Sequence, residues 1–336
     1  MSPMNSACPP PPERIEELLR RATAALESRF AGSRWVAMPE SGPARKSRVF
    51  PFREAGGAGQ EALLRVYSQP RAAAQQALAF RHAQPLRACP GPFSVPELYA
   101  VFEPESALLV ERVPHLQLEQ FLVRAAASPG RHRSALRLVG RWLRQFHALG
   151  QIEDGVFAAA RYRALLETRI ARAVAAGSGI PSDPLWQRAQ RWWLEALGTL
   201  DGTPLPVALT HGDFTSTNVL IGPGRITGID LWAEERAPVA EDLARMFVYL
   251  AMGDPFPLRA RFGTFPLERR RAEQELLAGY GEDLRPARDV WHVLVGFEAM
   301  ARWLAIGERL AQRNSFPERW KCGGLRGVLT TLTAGA

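Results

Sequence analysis

Lysine is almost absent from this chain. Only Lys46 and Lys321 occur, so nearly all of the 42 basic residues are arginine. The formal net charge is +8, yet the arginines are spread along the whole sequence and form no basic block interleaved with aromatic residues. Nucleic-acid-binding surfaces usually have such a block or stripe. We therefore do not expect nucleic acid as a partner; steeply salt-dependent retention on DNA or RNA would be the sign of one.

Cysteine and long apolar runs are also scarce. The three cysteines, Cys8, Cys89 and Cys322, lack metal-type spacing and cannot all pair, which favours free thiols in a reducing compartment. The N-terminus has a proline run followed by acids, with no signal-peptide pattern, and no apolar stretch reaches membrane-spanning length. We expect a cytoplasmic protein without a membrane span.

The composition indicates a globular chain with two lobes, since 336 residues exceed one small domain and 46% of them are hydrophobic. A helix is predicted over residues 13–30, after the proline run Pro9–Pro12. Five strands and one helix then indicate a small α+β lobe. The strand segments are RWVAM, SRVFPF, EALLRVY, PELYAVFE and SALLVERV, and the helix is AAAQQALAFRHAQPLRA.

After Pro114 the pattern changes to long helices. The stretch HRSALRLVGRWLRQFHAL places Leu136, Val139, Leu143 and Phe146 on one stripe. Further helices are predicted in SDPLWQRAQRWWLEALGTL, in VAEDLARMFVYLAM and in ARDVWHVLVGFEAMARWLAIGERLAQR. Between them, the apolar run LPVALT leads into LTHGDFTSTNVLIG, and a Pro-Gly turn predicts the hairpin NVLIGPGRITGID.

Three oxygen-bearing side chains surround that hairpin. Asp213 follows an apolar strand, Asn218 precedes the next one, and the returning strand leads to Asp230. Carboxylate and amide oxygens are hard ligands that suit Mg²⁺ with nucleotide phosphates, and a carboxylate not used by the metal can accept a proton from an attacking hydroxyl. The set predicts phosphoryl transfer at one shared metal site. The plain alternative is a polar turn with helix caps and a solvated hairpin.

The spacing agrees with kinase catalytic loops, in which an H-x-D triplet is followed by Asn five residues after the Asp. His211, Gly212, Asp213 and Asn218 stand at these offsets. At the residue level His211 is better explained as a hydrogen-bonded core histidine than as a catalytic group, and His147 as a packed helix residue. The tryptophans of the later helices are better explained as core or groove packing than as base-stacking groups.

The segments HGDFTSTNVLI and GIDLWAEERAPVAEDLAR resemble the aminoglycoside phosphotransferase and choline kinase-like family, the small-molecule branch of the protein-kinase-like fold. The resemblance implies an α+β fold with a small N-lobe, formed by an antiparallel sheet and one helix, and a larger helical C-lobe. We expect an N-terminal extension and helix at 1–31, a nucleotide-binding N-lobe at 32–113 and a C-lobe at 114–336.

The resemblance also implies roles for individual residues. Asp213 would be the catalytic base, and Asn218 and Asp230 the Mg²⁺ ligands. His211 and Asp242 would support the catalytic loop; Asp242 lies twelve residues after Asp230, as the family's Asp-Leu-Ala segment requires. The strand ALLVERV resembles the one that enters the hinge, where backbone groups of Glu111 and Val113 would meet adenine.

The nucleotide-binding half departs from the family. Arg65 stands where the third strand normally has a lysine for the phosphates, and it is either a phosphate contact or a surface strand arginine. The helix glutamate that pairs with that lysine is missing, and only Gln75 and Gln76 stand near its place. The glycine loop has one glycine, with Arg45 and Lys46 as candidate phosphate contacts; the family's later Gly-Asp-Pro is Ala237–Val239 here.

The functional expectation is an ATP- and Mg²⁺-dependent kinase that moves the γ-phosphoryl group onto a hydroxyl of a small molecule. The alternative is a nucleotide-binding pseudokinase or regulatory module without turnover, suggested by the altered nucleotide-binding residues. No Ala-Pro-Glu follows Asp230, which argues against an ordinary protein kinase. The segment from residue 256 onward contains thirteen basic and nine acidic residues. A neutral or anionic acceptor therefore fits better than a polycationic aminoglycoside. The sequence leaves the oligomeric state open.

Overall fold

The chain divides into two compact units. A computed structural model describes residues 12–41, 47–56, 59–69, 71–125, 128–232, 235–253, 265–281, 288–313 and 315–334. The first unit comprises Met1–His115 and Gly222–Glu234, and the second comprises Leu116–Ile221 and Glu235–Ala336. The segment 222–234, which the sequence analysis assigned to the C-lobe, thus belongs to the first unit. The boundaries at 31 and 113 stay predictions.

The described residues form ten α-helices and twelve strands. The helices are α1 (Pro12–Arg29), α2 (Ala72–Ala88), α3 (Leu118–Arg124), α4 (Pro129–Leu149), α5 (Ala159–Ala175), α6 (Pro184–Leu200), α7 (Val239–Met252), α8 (Phe265–Tyr280), α9 (Arg288–Gln312) and α10 (Phe316–Thr333). The strands are β1 (Trp35–Ala37), β2 (Ser47–Glu54), β3 (Glu61–Tyr67), β4 (Phe93–Ser94), β5 (Leu98–Phe102), β6 (Ala107–Glu111), β7 (Leu116–Gln117), β8 (Glu153–Val156), β9 (Pro204–Leu209), β10 (Val219–Gly222), β11 (Arg225–Gly228) and β12 (Arg236–Pro238).

The first unit is built on a five-stranded antiparallel sheet with the strand order β1-β2-β3-β6-β5. These are the five predicted strands, and α2 is the predicted helix between the third and the fourth of them. The strand β11 pairs in parallel with β4 in the same unit. The first unit therefore has the α+β architecture that the sequence indicated.

Alternation along β3 separates the two faces of this sheet. Ala62, Leu64 and Val66 are buried in a core that also contains Leu18, Ala22 and Leu26 of α1. Because successive strand side chains point to opposite faces, Arg65 and Tyr67 lie on the other side. The core fixes the sheet against α1 and leaves the opposite face for polar side chains.

The second unit is mostly helical. Within it, β9 pairs with β8 and β12, and β10 pairs with β7. The helices α4 and α8 pack closely: a Cβ added at Gly140 would collide with the carbonyl oxygen of Leu276, and one at Gly279 with that of Arg137. Only glycine permits such an approach of two backbones. Among the described residues, none of the helices has the length and apolar character needed to cross a membrane.

Candidate active site

The loop between β9 and β10 contains the candidate base. β9 ends at Leu209, and Gly212 then adopts a φ of +81°, a left-handed conformation that suits glycine. This turn is followed by Asp213, whose side chain is 41% exposed, whereas His211 and Phe214 on either side are fully buried. The loop thus holds one carboxylate toward solvent between two anchored aromatic rings.

Asn218 ties the end of this loop back to Asp213. Its Nδ2 donates to the Asp213 carbonyl oxygen at 2.8 Å and to Asp213 Oδ2 at 3.1 Å. Asn218 is itself buried, and in the described part of the chain its amide oxygen makes no hydrogen bond. The contact fixes the orientation of the Asp213 carboxylate and leaves a hard oxygen donor available beside it.

Asp242, at the start of α7, anchors the other end of the loop. Its carboxylate accepts hydrogen bonds from the backbone N–H of His211 at 2.6 Å and of Gly212 at 3.2 Å. His147 Nε2 contributes a third bond at 3.1 Å, and His147 Nδ1 contacts the Tyr280 hydroxyl at 2.9 Å. Burial alone would raise the pKa of Asp242, but the His147 hydrogen bond and nearby positive charge hold it below its ordinary value.

His211 lies in an aromatic cluster. It packs against Trp142, Phe146 and Phe214, and Trp142 stacks on both phenylalanines at centroid distances of 5.4 and 5.6 Å. Its Nδ1 accepts the Asp213 N–H at 3.3 Å. Burial lowers the pKa of His211, so the ring is held neutral against the nearby carboxylates. This environment is that of a buried, hydrogen-bonded histidine.

Sequence reasoning missed Arg245 and Glu298, which complete the support of the loop. Arg245 donates to the Gly212 carbonyl oxygen and, through Nη2 and Nε, to Glu298 Oε1 at 2.8 and 3.2 Å. Burial opposes its charge, but Glu298, Asp242 and Glu241 raise the pKa of Arg245. The sequence feature that could have identified this pair is a charged residue inside each of two apolar helices, α7 and α9. Charged residues in such helices are rarely buried unless they are paired.

The first unit contains the second acidic residue. Asp230 lies two residues after β11 ends, rather than within the returning strand, and has a φ of +57°. Among non-glycine residues, Asp and Asn tolerate this left-handed conformation best. Arg65 Nη2 donates to Asp230 Oδ2 at 3.1 Å, and Nη1 forms an ion pair with Oδ1. Buried Oδ1 makes no hydrogen bond of normal geometry.

Each unit contains one oxygen donor of a type that magnesium takes in proteins. No group of three or more His, Cys, Asp or Glu side chains in the described residues could hold a metal ion. Mg²⁺, however, usually takes one or two protein oxygens and completes its shell with water and substrate phosphates. The free amide oxygen of Asn218 and the Oδ1 of Asp230 are oxygens of that kind. The Asp230 carboxylate is paired with the Arg65 guanidinium.

Arg65 is therefore neither a solvated surface arginine nor paired with a glutamate of α2. Its side chain is 24% exposed, and its partner is Asp230. On the helix α2, buried Gln76 accepts a hydrogen bond through Oε1 from the Tyr67 hydroxyl at 2.5 Å. Burial raises the pKa of Tyr67, against the opposing effect of Arg65 close to its hydroxyl. Gln76, which stands near the place expected for the helix glutamate, therefore pairs with Tyr67 and not with Arg65.

The predicted adenine contacts stand at the end of β6. The Glu111 N–H donates to the Glu97 carbonyl oxygen at 2.8 Å, and the Glu111 carboxylate accepts from Arg87. The Val113 carbonyl oxygen accepts the His115 N–H at 2.9 Å. The other candidate phosphate contacts, Arg45 and Lys46, lie outside the described residues.

The structure thus groups the predicted residues into two sets. His211, Asp213, Asn218 and Asp242 come together in the second unit, and Arg65 and Asp230 form a pair in the first.

The chain belongs to the phosphotransferase enzyme family, whose model matches residues 47–291. Among solved structures it is similar to a choline/ethanolamine kinase family protein from Mesorhizobium loti, with 19% identity, a TM-score of 0.58 and coverage of 93% of this chain and 95% of that one. It is also similar to a glucosamine kinase crystallised with glucosamine, ADP and inorganic phosphate, with 18% identity, a TM-score of 0.54 and coverage of 91% and 81%.

A third similar structure is the apo form of a thermostable mutant of the aminoglycoside phosphotransferase APH(4)-Ia, with 16% identity, a TM-score of 0.58 and coverage of 92% of this chain and 98% of that one. No curated protein matches this chain by sequence. At these identities the structures show the fold, and the family match shows the enzyme class. The predictions of the family, of the kinase-like fold and of a phosphotransferase enzyme are confirmed.

Proposed function

We propose that this enzyme transfers the γ-phosphoryl group of ATP to a hydroxyl group of a small molecule, with Asp213 as the base. The observation that supports this most strongly is the half-exposed Asp213 carboxylate, oriented by Asn218 on a loop that Asp242 and Arg245 hold in place. A base needs this combination of fixed orientation and access, because it must stand within hydrogen-bond reach of the hydroxyl whose proton it accepts.

In this proposal each residue has one task. Asp213 orients the acceptor hydroxyl and receives its proton as the oxygen attacks the γ-phosphorus; the bond from this phosphorus to the β,γ-bridging oxygen breaks, and ADP leaves. Asn218 and Asp230 supply oxygen ligands to Mg²⁺, which when bound neutralises charge on the phosphates. Arg65, released from Asp230, contacts the phosphates, while backbone groups of Glu111 and Val113 contact adenine. His211 and Asp242 keep the loop in position.

The test is ATP consumption over a panel of hydroxyl compounds, with and without Mg²⁺. For an acceptor that supports turnover, we expect Asp213→Asn to lower kcat by about a hundredfold to ten-thousandfold, the usual contribution of general-base catalysis. ATP binding, measured by calorimetry, should persist in this variant. Asp154→Asn, which alters an exposed carboxylate on β8 of the same unit, serves as the matched control and should retain full kcat.

A nucleotide-binding module without turnover is the second candidate, and the pairing of Arg65 with Asp230 and the neutral Gln76 favour it. It predicts Mg²⁺-dependent ATP binding with no ATP consumption for any acceptor of the panel. Turnover that persists in Asp213→Asn at the wild-type rate would contradict the assignment of the base. The same two measurements therefore separate the two functions.

A further inference from the structure

Arg302 is the one cation placed against the candidate base that the proposed function leaves without a task, as judged from the residues the structure describes. It lies on α9, and its Nη2 is 4.0 Å from Asp213 Oδ1. This separation exceeds a hydrogen bond. Its guanidinium carbon lies 4.9 Å from the centroid of the Tyr249 ring, and its Nε is 3.5 Å from Glu298 Oε2. The arginine is thus held at its stem with its end directed to Asp213.

The charge of Arg302 is only partly compensated by these neighbours. Glu298 is fully buried, and its Oε1 already accepts two hydrogen bonds from Arg245. Arg302 donates no hydrogen bond in the described part of the chain, and its buried Nε has no hydrogen-bond partner. Tyr249 restricts the guanidinium through its ring face and supplies no acceptor there. The Nη groups therefore remain available to a ligand that binds at Asp213.

The chemistry of an available guanidinium selects the ligand. Arginine presents parallel N–H donors that match the two oxygens of a carboxylate or a phosphate, and such charge-assisted bonds are about twice as strong as neutral ones. A hydroxyl compound whose reacting oxygen lies on Asp213 would have its neighbouring substituent at Arg302. A cationic substituent at that position would be repelled, and a neutral one would gain only an ordinary hydrogen bond.

We propose that the acceptor has an anionic group, a carboxylate or a phosphate, next to the hydroxyl that is phosphorylated, and that Arg302 binds this group. The inference rests on the proposed function for the position of the hydroxyl. It makes Arg302 a specificity-determining residue, held in position by Glu298 and Tyr249.

The experiment compares two matched series in which a CH₂OH group is kept, replaced by a carboxylate or phosphorylated: glycerol, glycerate and glycerol 3-phosphate, and glucose, glucuronate and glucose 6-phosphate. For wild-type enzyme, ATP consumption gives kcat/KM, and the rise in thermal unfolding midpoint gives binding without nucleotide. We expect the anionic members to be preferred by about tenfold or more, which corresponds to one charge-assisted hydrogen bond. Separate carboxylate and phosphate members show which of the two anions is accepted.

Arg302→Gln should reduce this preference by about tenfold, mainly through KM, whereas Arg302→Lys, which keeps the charge, should retain part of it. Arg309→Gln is the matched control, because it removes an exposed arginine two turns further along α9, paired with Glu318. It should leave the preference unchanged. Thermal unfolding of each variant verifies that it is folded.

Three results would overturn the inference: equal preference for neutral and anionic compounds in the wild type, equal losses for both in Arg302→Gln, or the same loss in Arg309→Gln. Equal losses would instead place Arg302 on the transferred phosphoryl group. If no compound is turned over, the proposed function fails separately. The inference is then decided by binding. It is overturned if no anionic compound raises the thermal unfolding midpoint of the wild type by more than it raises the midpoint of Arg302→Gln.

Discussion

At the scale of single residues, Asp242 is the carboxylate that anchors the loop of the candidate base. One fully buried carboxylate accepts bonds from His147 and from two consecutive loop amides. Asparagine at this position would present an NH₂ group to donors and lose the negative charge opposite Arg245. We expect Asp242→Asn to lower the free energy of unfolding by about 3 kcal/mol, the scale for breaking a buried ionic contact. Urea denaturation measures the loss.

The comparison for this prediction is Asp154→Asn, which makes the same chemical change at an exposed strand position. It should shift the urea midpoint by little, since surface substitutions away from such contacts usually change stability by less than about 0.5 kcal/mol. Equal midpoints for the two variants would show that the three bonds to Asp242 contribute no net stability.

At the scale of elements, the loop also depends on the contact between α4 and α8. His147 of α4 contacts both Asp242 and Tyr280 of α8, so the distance between these helices sets the position of the loop anchor. A methyl group at Gly140 would meet the α8 backbone at Leu276. We expect Gly140→Ala to destabilise the protein by about 1–3 kcal/mol, as overpacking of a tight contact does, and to lower the thermal midpoint.

The same helix offers a control for the prediction at Gly140. Gly130 lies in the first turn of α4, where an added Cβ has no atom within 4 Å. Alanine favours a helix over glycine by about 1 kcal/mol, so Gly130→Ala should leave stability unchanged or raise it. A Gly140→Ala protein as stable as Gly130→Ala would mean that the helices move apart at no cost.

The elements also show how far the sequence could be interpreted. The sequence prediction for α2 agrees with its observed bounds, because the segment CPGP that follows Ala88 ends the helix. The start of α7 agrees as well, whereas its end at Met252 was not predicted. The proximity of Asp213 and Asn218 was predictable because the two residues are five positions apart in one loop. Arg245 and Glu298 are 53 residues apart, and pairing over that distance depends on how the helices pack, which no local pattern reports. The position of Arg302 beside Asp213 could not be predicted for the same reason.

The conformation of Asp230 was equally beyond a local pattern. Its position two residues past β11 and its left-handed backbone depend on the turn that follows the strand, and its pairing with Arg65 joins residues 165 positions apart. Spacing singled out Asp230 as a candidate ligand, but no local pattern indicated that Arg65 pairs with it.

At the scale of the whole molecule, buried titratable groups make stability depend on pH. Burial lowers the pKa of His211 and of His82. Below the unfolded histidine pKa of about 6.5, the unfolded chain binds protons that the folded chain does not, so stability falls as pH decreases toward the folded pKa values. Glu241 acts in the opposite sense, because burial raises its pKa and protonation favours the folded state.

The opposing groups can be separated by substitution at His211. We expect the wild-type free energy of unfolding, from urea curves, to decrease between pH 7 and pH 5. His211→Gln removes one of the protons taken up on unfolding, so its curve should be flatter by up to about 1.4 kcal/mol per pH unit, the value for one proton. The readout is the slope rather than the stability itself, because losing the contacts with Trp142 and with the Asp213 N–H lowers stability at every pH. Parallel curves for the two proteins would mean that His211 binds its proton equally in the folded and the unfolded state. That result would contradict a ring whose burial lowers its pKa.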